Sequence, residues 1–422
     1  MTSLSYSQVA QISSEELKEL KEYEKEKELY SKECVAQSIN FAVSKKNKEF
    51  TFLNIYEMFS CYLAIILARD KEVVAVWLKI LQGRCEIYLS KNSDWLNKDI
   101  RYIDNITKYL KNISKNAPDD IELYGDNEYI KSFSDFLSVR IAIVGNADNT
   151  NIITISGICK EYYKKVKKAK VESSIPSEFL KHIKKVASYI ASAIGIIECA
   201  RNIQYKSLFS NVQVFKVSPV IINNQFIYSW KNIIKRFIDE DKYKCFMNRC
   251  LKKPKVMERI SKVYTDNATQ QQQQLDGNDV KQCIYLHAEM NILASLIIDK
   301  KIFSRVFIAI SKRCCYLCEL YTDFAREQGY NIIVSEPQLF TKCAFDWKLM
   351  KICSRWKLPH VRDNEFKVRS LKYILENLDQ IIEKRLECYT NSLLADYSDG
   401  QYIYRYIKGF SSLPDNSFNL FS

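Results

Sequence analysis

Four residues in one stretch carry the side chains of a hydrolytic metal centre: His287 and Glu289, two apart, and Cys315 and Cys318, three apart. One imidazole and two thiolates make a three-ligand set for zinc and leave a fourth position open to water. Zinc lowers the pKa of such a water toward neutrality, and a carboxylate left off the metal, here Glu289, can accept the proton and hand it on. A thiol must lose its proton to bind. The partial positive charge and free N–H groups of a helix N-terminus favour that loss, and both pairs stand where a helix is expected to begin.

The elements that must position these residues can be read around them. Ile292, Leu293, Leu296 and Ile297 mark one face of a helix over 288–300, and Arg305 to Ile310 alternates as a buried strand. A second helix over 315–328 ends at Gly329, a good C-cap, and 330–335 reads as another strand closed by Glu336-Pro337. Short strand, helix, strand, helix, strand units argue for an α/β layer with neighbouring parallel strands. Upstream, Val256 to Tyr264 and Val280 to Leu286 read as antiparallel strands, with the five glutamines Gln270 to Gln274 at the tip of the loop between them.

The rest of the chain is organised differently. With 9 glycines and 7 prolines in 422 residues, turns are scarce and helices should dominate outside the metal region. Ser13 with Glu16 reads as a capping box, followed by a charged surface helix to about Lys48. Val73, Val74, Val76, Trp77, Ile80 and Leu81 fall at helical spacing, as do Ile100, Ile103, Ile106, Leu110 and Ile113. A turn-like break at 116–120 precedes two β-branched runs, 141–145 and 152–155, ambiguous between strand and buried helix. Pro176 and Ser177 open a long helix with Phe179, Ile183, Val186, Ile190, Ile194 and Ile197 on one face, and Val212 to Ile222, interrupted by Pro219, is an edge strand or connector. The expected organisation is a mainly helical N-terminal region over 1–240, a zinc-dependent domain over 241–360, and a helical extension and tail over 361–422.

Fourteen scattered cysteines do not form the dense framework of a small secreted protein. No secretory signal is visible, and the longest apolar run, Cys61 to Ala68, is too short to span a bilayer, so a soluble intracellular protein is expected. The formal charge of +13 favours polyanions. Lys164, Lys165, Lys167, Lys168 and Lys170 form the densest basic run, echoed by Lys181, Lys184 and Lys185 and by Arg249, Lys252, Lys253 and Lys255. Any one such run also reads as a solvated helix face.

Neither pair at the centre is specific alone, since 14 cysteines make a Cys-x-x-Cys common by chance. Their joint occurrence, in this order and one helix plus one strand apart, matches the His-x-Glu and Cys-x-x-Cys signature of zinc enzymes that act on nucleobases. Over roughly residues 240–360 the chain resembles the cytidine deaminase-like superfamily, in Tyr285 to Asn291 and Ser311 to Cys318. More narrowly, it is similar to the predicted nucleic-acid deaminase-like proteins of fungi and some intracellular bacteria, which join a helical N-terminal region to a C-terminal deaminase domain. The resemblance implies a three-layer α/β deaminase-like domain after a mainly α-helical region. It implies Zn2+ held by His287, Cys315 and Cys318, and Glu289 as the proton shuttle.

The superfamily usually has proline where this chain has Cys314, so Cys314 competes with Cys315 as the first thiolate, and the three-residue spacing favours Cys315. The expected activity is hydrolytic deamination of a nucleobase, cytosine preferred, in single-stranded DNA or RNA. A free nucleoside or nucleotide substrate is one alternative, and a catalytically inactive helical interaction protein with a structural zinc is another. Lys312 and Arg313 stand at the mouth of the site as phosphate contacts or solvated residues, with Tyr316 and Tyr321 as stacking surfaces or core. His182, Cys343, Cys353 and His360 lack zinc-ligand spacing and read as core or surface positions.

Overall fold

The computed structural model describes residues 14–40, 42–46, 53–68, 72–116, 132–133, 136, 152–169, 174–202, 204–264, 279–335 and 347–390. Ser13, most of the 116–120 break, the 141–145 run, the glutamine tract, Glu336-Pro337 and Cys343 lie outside the described residues.

The first half of the chain supplies helices α1 (Ser14–Ile39), α2 (Ile55–Leu67), α3 (Asn97–Asn116), α4 (Ile152–Ala169), α5 (Ser177–Arg201) and α6 (Lys206–Ser210). Between them run strands β1 (Ala42–Lys46), β2 (Val74–Leu81), β3 (Arg84–Lys91) and β4 (Val212–Lys216). There follow β5 (Ile221–Ile227), α7 (Trp230–Ile234), α8 (Glu240–Leu251), α9 (Pro254–Tyr264) and β6 (Val280–Tyr285). Helix α10 (Ala288–Ile292) continues as a π-helical turn over Leu293–Ile298. The chain then forms β7 (Val306–Ile310), α11 (Tyr316–Glu327), β8 (Ile332–Ser335), β9 (Trp347–Lys351) and α12 (Asn364–Thr390).

A mixed five-stranded sheet in the order β4-β3-β2-β7-β8 is the backbone of the structure. Strands β3 and β4 are parallel, as are β7 and β8, while β2 runs against both of its neighbours, so four strands share one direction. Three of the five strands precede residue 240. The β2–β3 hairpin closes on Gly83, whose φ of 72° belongs to the left-handed region that glycine enters without steric cost. Two separate pairs, β1 with β9 and β5 with β6, are antiparallel.

Alternate residues of the sheet enter different cores. Val74, Val76, Ile87, Leu89, Phe307 and Ala309 pack with buried residues of α2, α3 and α5. Ala75, Trp77, Ile308 and Ile310 pack on the opposite face with α10, α11, α12 and α1.

Several expectations are corrected here. The 73–81 run is strand β2 rather than a helix, because neighbouring residues serve different cores and the apolar run is therefore nearly continuous. Residues 254–264 form helix α9, with Val256, Ile260 and Tyr264 buried one turn apart after Pro254, so β6 pairs with β5 instead. The 152–155 run opens helix α4. Phe179, expected on an apolar face, is exposed, and α5 buries Ala193, Ile196, Ile197 and Ala200 nearer its C-terminus.

Helix α1 is not a surface helix. Its second half is core, with Leu29, Tyr30, Val35, Ala36 and Ile39 fully buried against α12, α9, α7 and β5. Two of its lysines reach partners remote in sequence: Lys27 pairs with Asp279 at 2.6 Å, and Lys32 with Asp379 at 2.6 Å as well as with Glu28 one turn away at 2.7 Å. Ion pairing of this kind is what lets charged side chains enter a core. No helix among the described residues is long and apolar enough to cross a membrane.

Candidate metal centre

Two helix starts deliver the donor groups. His287 is the N-cap of α10, at the end of β6, and Cys315 is the N-cap of α11, four residues beyond β7 and Ser311. The Cys318 backbone N–H is directed at Cys315 Sγ at 3.5 Å, so the thiol caps its own helix where the dipole favours negative charge. One turn inward, Cys318 is fully buried, and its carbonyl accepts from Thr322 Oγ1 at 2.7 Å. On the other side, the π-helical turn after α10 fits a pattern seen at functional sites, where the extra residue re-aims a helix.

His287 Nδ1 lies 3.2 Å from Cys318 Sγ and 3.6 Å from Cys315 Sγ, and the two sulfurs are 3.4 Å apart. Donors held about 2.1–2.3 Å from a tetrahedral zinc sit about 3.4–3.8 Å from one another, so this set is a slightly contracted version of such a shell. The residues fit the metal in number, chemistry and spacing, and His287, Cys315 and Cys318 could hold an ion together. The Trp356 indole N–H donates to Cys318 Sγ at 3.2 Å, a bond that supports negative charge on that sulfur.

Glu289 is 2% exposed. Its Oε1 lies 3.9 Å from His287 Nδ1 and 3.7 Å from Cys314 Sγ, and its Oε2 is buried without a hydrogen-bond partner. Cys314 therefore joins a second grouping, with Glu289 and Cys318, rather than the one that contains His287.

The thiols differ in their electrostatics. Burial opposes ionisation of Cys315, but its hydrogen bond with Cys318 and the facing His287 outweigh it and hold the thiol well below the usual range. Burial raises Cys318 well above that range. At Cys314 a hydrogen bond with Cys318 is overcome by burial and the Glu289 charge, and the thiol is pushed up to about 12. Burial alone would lower His287, yet the facing Cys315 and Cys353 raise it well above the ordinary imidazole value.

Two residues at the centre carry no sequence signal. Cys353 neighbours both His287 and Tyr285, although no ligand spacing connects it to them. Glu33 of α1 is fully buried, and burial, with Cys353 and Cys315 beside it, pushes its carboxyl well above the usual range against the opposing influence of His287 and the Trp356 backbone. A motif search along the chain finds neither, because their proximity is created by the packing of α1 and of the segment after β9. Of the other candidates, Lys312 and Arg313 are exposed, as are His182 and His360. Tyr321 is core, packed edge-on to Phe366, which removes it as a stacking surface.

Comparison with known proteins bears on the same segment. The model of the OTT_1508-like deaminase family matches residues 286–360, so a deaminase-family domain is present and contains all four motif residues. No curated protein and no solved structure matches the chain.

Proposed function

We propose that this chain is a zinc-dependent hydrolytic deaminase of a nucleobase, cytosine by preference, acting within a single-stranded polynucleotide. The observation that carries the reading is the gathering of His287, Cys315, Cys318 and Glu289 at two helix starts inside a deaminase-family domain. The helix-lined cores on the two faces of the sheet correspond, in this reading, to a three-layer α/β arrangement.

His287, Cys315 and Cys318 would hold the ion. Zinc, when bound, supplies a nucleophilic water at neutral pH. Glu289 would accept a proton from the water that adds to C4 of the ring and hold it for the adjacent ring nitrogen. In a second transfer the same carboxylate would carry the proton of the new C4 hydroxyl to the exocyclic amine, so that the C4–N bond breaks, ammonia leaves and a carbonyl remains. Glu289 is suited to this work because it is screened from bulk water and its Oε2 has no competing hydrogen bond.

The polynucleotide assignment draws on the +13 charge, the exposed Lys165 and Lys168 on α4, and the exposed Lys312 and Arg313 just before Cys314. Zinc-loaded full-length protein should convert cytosine to uracil in single-stranded DNA or RNA, with binding that weakens steeply as salt rises. Glu289→Ala should lower turnover by at least about 10²–10⁴-fold while leaving zinc in place. Turnover retained by Glu289→Ala contradicts the mechanism. Turnover confined to cytidine or its monophosphate, with salt-insensitive binding, moves the substrate to free nucleotides, and zinc bound without any turnover makes the centre structural.

A further inference from the structure

The residues matched to the deaminase family begin at 286, but the packing brings a much earlier residue to the back of the centre. Glu33 is 0% exposed, and neither of its carboxylate oxygens has a hydrogen-bond partner. An isolated buried carboxylate without hydrogen bonds is costly and persists where something else requires it. The backbone amide of Trp356 lies beside it without closing a hydrogen bond of normal geometry.

Several contacts fix its location. Cys34, the next residue, donates its thiol to the Ser354 carbonyl at 3.4 Å, which seats this turn of α1 on the segment after β9. The Tyr285 N–H donates to the Arg355 carbonyl at 2.9 Å, and the Lys357 N–H donates to the Tyr285 carbonyl at 3.1 Å, so the same segment flanks the end of β6. From it Trp356 also reaches Cys318 Sγ. Tyr285 stacks on the His287 ring with centroids 5.3 Å apart. Glu33 is thus packed against the segment that surrounds His287, and His287 is among the few groups acting on its charge.

His287 has a matching deficit. Its Nδ1 faces the two thiols, while its Nε2 is buried and has no hydrogen-bond partner. If Nδ1 binds the metal, Nε2 must carry the proton and needs an acceptor. Glu33 and His287 are not hydrogen-bonded to each other in this structure. We propose that they become so when the centre takes its metal, and that Glu33 is then its positioning residue: its carboxylate would accept the Nε2–H of His287, fixing the tautomer and ring orientation that present Nδ1 to the metal. Carboxylates commonly orient metal-bound histidines in this way. The N-terminal helix then belongs to the centre itself rather than to an appended region. The inference rests on the metal-centre reading above.

The test is cobalt(II) titration of the metal-free full-length protein, read by thiolate charge-transfer and ligand-field absorption, together with the melting temperature of each metal-free variant. Glu33→Met removes the acceptor at similar length, and Glu33→Gln keeps the shape while losing the charge. Cobalt affinity should fall roughly 10–100-fold in Glu33→Met and less in Glu33→Gln, with an altered ligand-field spectrum. The metal-free Glu33→Met protein should melt no lower than wild type, because an unsatisfied buried carboxylate has been replaced by an apolar group. Wild-type affinity and spectrum in both Glu33 variants overturn the proposal, and a loss confined to Cys353→Ala, whose thiol also neighbours His287, overturns it in favour of Cys353. Wild-type protein that takes up no cobalt overturns the metal-centre reading itself.

Discussion

At the scale of the residue, Cys314 and Cys315 are chain neighbours with opposite surroundings. Cys315 faces His287 and caps a helix, while Cys314 is buried against Glu289. Zinc should therefore survive Cys314→Ala and be lost on Cys315→Ser, as read by metal analysis of the purified variants. Metal uptake must also displace a proton from Cys318, whose thiol burial keeps protonated near neutral pH. Affinity should accordingly fall as pH falls, with protons released on binding, and a pH-independent affinity in buffered titrations would exclude these thiols as ligands. The grouping of His287, Cys315 and Cys318 was legible in the sequence because the motif is local: each pair lies within one helix start. Glu33 and Cys353 were not legible, since nothing in their spacing announces that distant segments meet at His287.

Among the elements, those with a single buried face matched their periodicity. Helix α3, with Ile103, Ile106, Leu110 and Ile113 buried, follows the expected steps of three and four. Strand β2 defeated the same reasoning because it is buried on both faces, which erases the alternation that marks a strand. Helix α1 was misread for a different reason: beyond the local Lys32–Glu28 pair, its buried lysines reach Asp279 and Asp379, remote partners that no local pattern reveals. Packing between helices supplies a sharp test. A Cβ at Gly195 of α5 would overlap the ring of Tyr62 on α2. Gly195→Ala should therefore cost about 1–3 kcal/mol despite the better helix propensity of alanine, measured as a lower denaturant midpoint, and the double variant with Tyr62→Ala should recover part of that loss. An unchanged midpoint in Gly195→Ala would mean that the two helices are not packed this closely.

For the molecule as a whole, the central sheet joins what the sequence presents as separate regions. Strands β7 and β8, which flank the Cys315–Cys318 helix start, are hydrogen-bonded into a sheet whose other three strands lie before residue 240, and α1 closes the core that contains α10 and α11. A fragment of residues 241–422 leaves the β2-facing edge of β7 unpaired and uncovers that core, so it should fail to unfold cooperatively and should not bind zinc tightly. A fragment that does both would support the separate domain over 241–360 that the sequence suggests. The measurement that tests the central claim most directly is the zinc stoichiometry of purified full-length protein and of its His287→Ala, Cys318→Ser and Glu289→Gln variants. The account predicts one zinc per chain in the wild type and in Glu289→Gln and none in the other two. A wild type without zinc, or a His287→Ala protein that keeps it, would contradict the account.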